Sequence, residues 1–392
     1  MRVLHISTTD GGGAGMCSLR IHQSLLAAGI SSKYLVLHNT QHAKEEYEFG
    51  YYRNMVLRAI SKLLRAVHLT ITQRNKVEYL ARQNDTTYTL PVSGIDITKC
   101  ELVDWADIIH LHWVNGYVDY PSFFKNVKKP IVWTLHDENL FYGIAHLGKK
   151  VLESDPLELK YREIKRESVK AAQNITIVFL SQMMRKRFSG EDIIARRKSV
   201  VINNSVDTEL FRPYDREKMR QKYGIDFNKE VCVFIAMNIA DSNKNLDMLS
   251  RVLFEENPNA IILAIGSNPS GREWVNVRTL GLLKDPVDIS KVLSCADYMA
   301  MPSYQEAFSQ CPMEAMACGI PVVAFPVSGT VELINDTNGV VCVDFTKESL
   351  KAGIHKIKSS EYDANVIRQG MIDKFSPGAI AQQYISLYNE II

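Results

Sequence analysis

The sequence predicts an α/β protein with two parallel β-sheets, one in each half of the chain. Its 392 residues correspond to two domains at about 100–200 residues per domain. Short runs rich in β-branched residues alternate with helical stretches along the whole chain. The runs are almost continuously apolar, as in parallel sheets whose two faces are both covered by helices. Two such series favour two doubly wound, Rossmann-like units.

The strand candidates form two series that define the expected domains. In the first half they are residues 3–7, 34–37, 108–113, 131–135 and 175–180. In the second half they are residues 231–237, 260–265, 298–301, 321–325 and 340–343. We expect one domain to comprise residues 1–207 and 376–392 and the other residues 208–375, because the turn-rich NNSVD follows the strand SVVI. Ser376 and Pro377 predict a final helix, as an N-cap serine and a first-turn proline.

The composition excludes several classes of protein. Apolar residues make up 46% and charged residues 23%, and no run of about 18 apolar residues could span a membrane. The first residues turn polar too quickly for a secretory signal. The seven cysteines are scattered singly, which argues against a zinc site and a disulfide framework. We therefore expect a cytoplasmic protein, and we expect no nucleic-acid partner.

Glycines follow the first predicted strand in the segment HISTTDGGGAG. They allow the backbone to approach a ligand closely, and the next helix offers free N–H groups to an anion. The dinucleotide fingerprint is not met, because Met16 stands where that fingerprint needs a glycine. The segment is therefore either a flexible loop or a contact for a diphosphate or a substrate.

Histidines lie at the ends of two predicted strands. His136 and Asp137 end one strand in WTLHD, at the edge where open α/β sheets present ligand residues. For His136 a structural and a functional role both stay open. His110 and His112 share one face of another strand in HLHW, but the sequence shows no third ligand for a metal site there.

Three charged residues in the second half could bind a ligand. Lys244 precedes a predicted helix at residues 246–253, so its cation and the helix dipole could both face a phosphate; the alternative is a solvated lysine. Glu306 and Glu314 lie eight positions apart around a helix start marked by Pro312. If the segment were fully helical, eight residues would span about 12 Å, of the order of the reach from a ribose diol to a sugar ring. Each carboxylate could accept from two vicinal hydroxyls, or both could be solvated glutamates at a helix end.

The stretch PSYQEAFSQCPMEAMACGIPVVAFPVSGTVELI closely resembles the Glu-x7-Glu signature of retaining, nucleotide-sugar-dependent glycosyltransferases of the GT-B fold, family 4. The glycine segment, VVINNSVDTELFRP and GLLKDPVDISKVLSCADYMAMPS are similar to other segments of that family, so the resemblance covers nearly the whole chain. HLHW and WTLHD resemble its exopolysaccharide and O-antigen branch. The resemblance implies two Rossmann-like domains facing across a cleft.

The resemblance also implies roles for individual residues. Glu306 would bind hydroxyls of the donor sugar, Lys244 would neutralise the diphosphate, and His136 would contact the sugar near the reacting carbon. These three are the expected catalytic residues. The expected donor-binding residues are Gly12, Gly13, Asn238, Leu283, Ala307, Phe308, Ser309 and Glu314. Among them, Glu314 would hold the ribose and the backbone near Leu283 would read the base.

The chain departs from the family pattern at the donor site. Asn238, Ile239 and Ala240 occupy the region where an arginine is common, and Ala307 and Ser309 stand where glycine is usual. Neither the glutamates nor the lysine is lost, so we expect an active hexosyltransferase. Two alternatives stay open, a nucleotide-sugar hydrolase or epimerase of the same fold and a non-catalytic partner subunit.

The expected reaction needs no cofactor and no metal. The chain contains no Asp-x-Asp triplet, so a metal-bridged diphosphate is not supported. The expected donor is a UDP- or GDP-sugar, and the expected acceptor is a glycan or lipid-linked glycan of surface polysaccharide biosynthesis. Residues 51–83 carry seven basic residues and one glutamate, a net charge of +6, on a predicted amphipathic helix. That helix either lies on the anionic inner membrane face or packs on the sheet.

Overall fold

The computed structural model describes residues 1–38, 88–93, 96–146 and 154–392. They form two compact units, Met1–Asn203 with Ala381–Ile392, and Asn204–Ile380. Each unit contains one six-stranded sheet in which all neighbouring strands run parallel. The predicted class, α/β with two parallel sheets, is confirmed. The predicted amphipathic helix at 51–83 lies outside the described residues.

The sheet of the first unit has the strand order β2-β1-β3-β4-β5-β6. Its strands are β1 (Arg2–Thr9), β2 (Ser31–His38), β3 (Ile108–Leu111), β4 (Ile131–Leu135), β5 (Ile175–Phe179) and β6 (Ser199–Val201). The order reverses at β1, which is flanked by β2 and β3. In an open α/β sheet such a switch point opens a crevice at the carboxyl ends of the strands, where ligands bind.

Among the residues that the structure describes, the first unit has two 16-residue helices and several shorter ones. Its α-helices are α1 (Gly12–Ala27), α2 (Glu101–Trp105), α3 (Tyr120–Asn126), α4 (Pro156–Ala171) and α5 (Gln182–Phe188), and its 3₁₀ turns are Ile97–Lys99 and Asn139–Phe141. Four of these elements begin at an aspartate or serine whose side chain accepts a backbone hydrogen bond, as in α4, where Asp155 accepts from Leu157 at 2.7 Å.

The sheet of the second unit has the order β12-β11-β10-β7-β8-β9. Its strands are β7 (Val231–Asn238), β8 (Ile261–Ser267), β9 (Val277–Gly281), β10 (Tyr298–Met301), β11 (Val322–Ala324) and β12 (Gly339–Val341). Strand β9 is absent from the predicted series. It is an edge strand with mostly exposed side chains, so it lacks the continuous apolar run by which the buried strands were recognised.

The helices of the second unit are α6 (Arg216–Lys222), α7 (Leu246–Glu256), α8 (Pro286–Leu293), α9 (Cys311–Ala317), α10 (Thr330–Leu333), α11 (Lys347–Ser359) and α12 (Ala364–Phe375). The predicted C-terminal helix is α13 (Pro377–Ile391), which begins at Pro377 as expected. From Ala381 onward it belongs to the first unit. Among the helices that the structure describes, none is both long and apolar enough to cross a membrane.

The two faces of the first sheet differ in polarity. One face carries apolar side chains such as Leu4, Ile109 and Trp133, which belong to the main hydrophobic core of the unit. The other face carries His5 and His110, which are paired in register on β1 and β3. Both histidines are fully buried, and Tyr388 of α13 packs against His110. The alternation of side chains along a strand therefore separates an apolar layer from a polar one.

Candidate functional site

Lys244 and Glu306 meet at the carboxyl edge of the second sheet. Strands β7 and β10 are neighbours, and each is followed by a loop that carries one of these residues. The Lys244 ammonium donates a hydrogen bond to Oε1 of Glu306. The loops are also joined by Tyr304 N, which donates to the Asn243 carbonyl at 2.9 Å, and by Asn243 Nδ2, which donates to the Gln305 carbonyl at 3.0 Å. The fold thus brings together two predicted site residues that are 62 positions apart.

The Lys244–Glu306 ion pair is half-buried. The side chain of Lys244 is 25% exposed and that of Glu306 is 13% exposed. Burial lowers the pKa of Lys244, but the charge of Glu306 and its hydrogen bond outweigh this effect, and the pKa lies above its ordinary value. Lys244 therefore stays a cation at neutral pH. A cation in this setting interacts with an anion more strongly than a fully solvated lysine would.

The loop that carries Lys244 has an unusual backbone. Asn245 has a φ of 63° and is the one non-glycine residue with positive φ among the described residues. Asparagine tolerates this left-handed conformation better than most residues, and it directly precedes α7. Lys244 N donates to the Asp241 carbonyl at 2.9 Å, which closes the turn. Lys244 is therefore presented from a tightly specified turn, just before a helix as the sequence predicts.

Glu314 lies in the first turn of α9, and Pro312 occupies an early position of that helix, as predicted. Glu306 lies in the preceding loop, also as predicted. The helix begins only at Cys311, so the spacing of about 12 Å for eight helical residues does not apply to this pair. Residues 306–310 are not part of a helix, so the condition of a fully helical segment, on which that distance depended, is not met.

Phe308 positions the loop between the two glutamates. Its ring is 7% exposed and packs against Gly329, where an added Cβ would lie 2.7 Å from Phe308 Cδ2. Gly329 also has a φ of +84°, which favours glycine. The flanking residues Ala307 and Ser309 are half-buried. Gly329 therefore helps to shape the loop that carries Glu306.

Asn238 and Leu283 lie at different strands of the second sheet. Asn238 is the last residue of β7, and its Oδ1 accepts from Ala240 N at 3.0 Å. It therefore lies on the same sheet edge as Lys244. Leu283 is half-buried and follows the edge strand β9, two strands away from β7.

Gly12 and Gly13 lie in the first turn of α1 rather than in a loop before it. Gly11 occupies the N-cap position without a side-chain hydrogen bond, so backbone N–H groups of this 16-residue helix are left to other acceptors. Gly12 has a φ of +69°, and a Cβ at Gly13 would meet no atom within 4 Å. At Gly15, by contrast, a Cβ would lie 2.6 Å from backbone atoms of Thr9 and Asp10, so Gly15 permits the close approach of α1 to the end of β1.

His136 is the last of three histidines joined by hydrogen bonds in the first unit. His5 Nδ1 lies 2.8 Å from His112 Nε2, and His112 Nδ1 lies 3.1 Å from His136 Nε2. His5 and His112 are buried, whereas His136 is half-buried at the carboxyl end of β4. The sequence gives no sign of His5 as a member, because it lies 107 positions before His112.

Asp137 belongs to a different network from His136. It accepts from Trp113 Nε1 at 2.8 Å, from Asn139 N at 2.9 Å and from His146 Nδ1 at 2.5 Å. Burial raises the pKa of Asp137, but the charge of His146 and the hydrogen bonds together lower it by more. The pKa of Asp137 therefore lies below its ordinary value. Asp137 is therefore an ionised carboxylate, and its hydrogen bonds hold the loop after β4 in place.

The histidines of the polar sheet face could in principle hold a metal. His5, His110 and His112 offer ring nitrogens within 4.8 Å of one another, so the fold supplies the third imidazole that the sequence did not show. However, His110 is already bonded to Tyr388 Oη at 2.7 Å and to Thr134 Oγ1 at 2.8 Å. Both nitrogens of His112 are also bonded. Most of the ring nitrogens that could bind a metal are already engaged in hydrogen bonds. This favours a hydrogen-bonded polar layer over a metal site.

The buried histidines are neutral. Burial lowers the pKa of His5, His110 and His112 well below 6.5. It also lowers the pKa of His22 and His136 to about 4. At neutral pH each ring therefore carries one N–H and one bare nitrogen, which can donate one hydrogen bond and accept another.

Similarity to known proteins is found in sequence and in fold. Residues 215–372, within the second unit, match the family model described as glycosyl transferases group 1. The D-inositol 3-phosphate glycosyltransferase of Corynebacterium aurimucosum is 25% identical over 340 residues, 79% of this chain and 78% of that protein. The N-acetyl-alpha-D-glucosaminyl L-malate synthase of Bacillus anthracis is 23% identical over 308 residues, 73% of this chain and 75% of that protein.

The fold has solved counterparts. The structure of Anabaena HepE in complex with UDP and glucose matches with a TM-score of 0.65 and 18% identity, covering 99% of each chain. The predicted GT-B fold is thereby confirmed. These findings support a GT-B glycosyltransferase. The Lys244–Glu306 pair and Glu314 lie inside the segment that matches the group 1 family model.

Proposed function

We propose that this glycosyltransferase is a retaining, metal-independent enzyme that moves a hexose or hexose derivative from a UDP- or GDP-sugar to an acceptor. The observation that carries the proposal is the Lys244–Glu306 pair at the carboxyl edge of the second sheet. It combines a cation for a diphosphate with a carboxylate for sugar hydroxyls, in the segment similar to group 1 glycosyltransferases. The UDP and glucose bound by HepE, which shares the fold, support a nucleotide-sugar donor.

Lys244 would supply the charge that the leaving diphosphate needs. In the proposed complex the Lys244 ammonium contacts the diphosphate instead of Glu306. Hydroxyls of the sugar then donate hydrogen bonds to the Glu306 carboxylate. Both groups are half-buried, so these contacts are less screened than at an open surface. A preorganised cation acts on the charge that develops on the leaving group, which is the requirement for lowering the barrier. Glu314, in the first turn of α9, would hold the ribose hydroxyls.

In the first unit, the N-terminus of α1 and His136 are the groups suited to a ligand. The uncapped N–H groups around Gly12 and Gly13 suit a negatively charged donor. His136 lies at the carboxyl edge of its sheet, the side on which α/β proteins bind ligands. Its neutral imidazole could form a hydrogen bond with the donor sugar.

The acceptor is proposed to be a glycan or lipid-linked glycan, as in surface polysaccharide synthesis. The names of the curated relatives favour a second class, because they refer to D-inositol 3-phosphate and L-malate, which are small molecules. Acceptor assays should therefore include small polyols and hydroxy acids as well as glycans.

The experiment that tests the proposal starts with a thermal-shift screen against UDP-, GDP- and ADP-sugars. The stabilising donor is then incubated with the acceptor panel in buffer containing EDTA, and the anomeric configuration of the product is read by proton NMR. We expect transfer with retention and no loss of rate on chelation. Donor breakdown to free sugar without any acceptor product would identify a hydrolase instead. Absence of binding to every donor would favour the non-catalytic partner subunit.

A further inference from the structure

Three histidines form a hydrogen-bonded line from the first strand to the carboxyl edge of the first sheet. We call His5, His112 and His136 the histidine wire. Its two contacts join ring nitrogens only, at 2.8 Å between His5 Nδ1 and His112 Nε2 and at 3.1 Å between His112 Nδ1 and His136 Nε2. The middle ring therefore uses both of its nitrogens within the wire.

Every ring in the wire is neutral at pH 7, because burial lowers the pKa of all three. A neutral imidazole carries a proton on one nitrogen and a lone pair on the other. Each contact in the wire thus needs one N–H and one bare nitrogen. The tautomer of one ring dictates the tautomer of the next.

Only two proton arrangements satisfy both contacts. In the first, all three rings carry the proton on Nε2, His136 donates inward to His112, and its Nδ1 is a bare base. In the second, all three rings carry the proton on Nδ1, and His5 donates to His112, which donates to His136. Then His136 accepts at Nε2 and offers an N–H at Nδ1.

The inner end of the wire selects between these arrangements. His5 Nε2 is buried and has no hydrogen-bond partner among the described residues. The first arrangement would place an N–H there, whereas the second leaves a bare nitrogen. Orphaned buried N–H groups are the rarer of the two in folded proteins, because a donor proton without an acceptor is costly. The second arrangement is therefore the more stable.

We propose that His5 and His112 are positioning residues that hold His136 as its Nδ1–H tautomer. His136 then presents a neutral hydrogen-bond donor, and not a general base, at the carboxyl edge of the first sheet. The inference deepens the proposed function and rests on it for the ligand, an oxygen of the donor sugar or its phosphate. An N–H of this kind can bind such an oxygen without taking a proton from the acceptor.

The test is the tautomeric state of each ring in the full-length protein. Histidine is labelled with ¹⁵N, and long-range ¹H–¹⁵N spectra at pH 7.5 distinguish protonated from bare ring nitrogens. Single substitutions assign the signals. We expect His5, His112 and His136 all to be protonated on Nδ1. Protonation of His136 on Nε2, or different tautomers within the wire, would overturn the proposal. So would a stoichiometric metal in the purified protein, since it would occupy the ring nitrogens.

A variant tests the positioning role. His112→Phe removes the donor to His136 Nε2, and we expect His136 then to populate both tautomers. The control is His355→Gln, which alters the exposed histidine of the second unit. His136 should keep its Nδ1 proton in that control. An unchanged His136 signal in a folded His112→Phe protein would overturn the positioning role.

The readout is independent of turnover. The wild-type spectrum needs no variant, so it decides the tautomer even if His112→Phe does not fold. It also needs no donor or acceptor. Failure of the donor screen would therefore contradict the proposed function alone, whereas the wrong tautomers would contradict this inference alone.

Discussion

Each of the two units has its own parallel six-stranded sheet, but the two units place their titratable side chains differently. Nine of the ten histidines lie in the sequence range of the first unit, and among the described ones four are buried along one sheet face and its covering helix. The second unit contains only His355, whose side chain is 59% exposed. Its candidate site instead uses the charged pair of Lys244 and Glu306 in loops beyond the strands.

The difference follows from where each group lies relative to water. A side chain on a covered sheet face is fully desolvated, which disfavours its charged form. A neutral imidazole tolerates that position because it can donate and accept at once. Loops at the sheet edge keep part of their hydration, so an ion pair can persist there. Parallel sheets therefore offer two kinds of polar site, a neutral one within the layer and a charged one at its edge.

Acidification should produce the largest effect, unfolding the first unit before the second. Histidine in an unfolded chain has a pKa of about 6.5. Burial lowers the pKa of His5, His110 and His112 well below that value and that of His22 to about 4. Below pH 6.5 the unfolded chain thus binds protons that the folded unit does not. The free energy of unfolding therefore decreases as the pH is lowered. Each histidine contributes up to about 1.4 kcal/mol per pH unit, against a total domain stability of about 5–15 kcal/mol.

Urea unfolding followed by tryptophan fluorescence at pH 7.5, 6 and 5 measures this effect. In a Trp274→Phe protein the three remaining tryptophans all belong to the first unit. The midpoint should fall steadily below pH 6.5, and His355→Gln should leave it unchanged. A midpoint that is constant down to pH 5 would break the comparison.

Replacing Glu306 with glutamine should lower kcat for transfer by about 10²–10³-fold, as for loss of one preorganised electrostatic group. The substitution keeps the shape of the side chain and removes its charge. Steady-state kinetics with the identified donor measure the loss, and thermal unfolding confirms the fold. The control is the exposed Glu361→Gln in the same unit. A Glu306→Gln enzyme that keeps a tenth of the wild-type kcat would remove Glu306 from the reaction.

Replacing Lys244 with methionine should weaken binding of the nucleoside diphosphate by about 10–100-fold, the range of a hydrogen bond to a charged group. Lys244→Arg keeps the cation and should lose less. Calorimetry with UDP and UMP, or the corresponding GDP pair, separates the diphosphate contact from the rest of the nucleotide. Equal losses for the diphosphate and the monophosphate would show that Lys244 does not contact the diphosphate.

The smallest effect concerns the shape of the charged site. Gly329→Ala should destabilise the protein by about 1–3 kcal/mol, because residue 329 has positive φ and its new Cβ would overlap the Phe308 ring. Gly370→Ala is the matched control, since that glycine lies within α12 with no atom within 4 Å of an added Cβ. It should be neutral or stabilising by up to about 1 kcal/mol. Chemical denaturation compares the two, and equal effects would show that Gly329 is not needed for the Phe308 packing.

Local sequence patterns predicted the elements that depend on neighbouring residues. The continuous apolar runs indicate ten of the twelve strands found among the described residues, and SVVI indicates β6 as well. Pro312 and Pro377 marked the starts of α9 and α13 because a proline is tolerated in a first helical turn. Strand β9 was missed, since an exposed edge strand does not carry that apolar signal.

The contacts that define both sites depended on strand order. Lys244 meets Glu306 only because β7 and β10 are neighbours, and His5 meets His112 only because β1 lies beside β3. The sequence determined which side chains stand at strand ends, since alternation and helix signals act over a few residues. The tertiary structure decided which strand ends lie side by side. It thereby decided whether a histidine is buried and neutral and whether a lysine is paired, because these contacts join residues 62 and 107 positions apart.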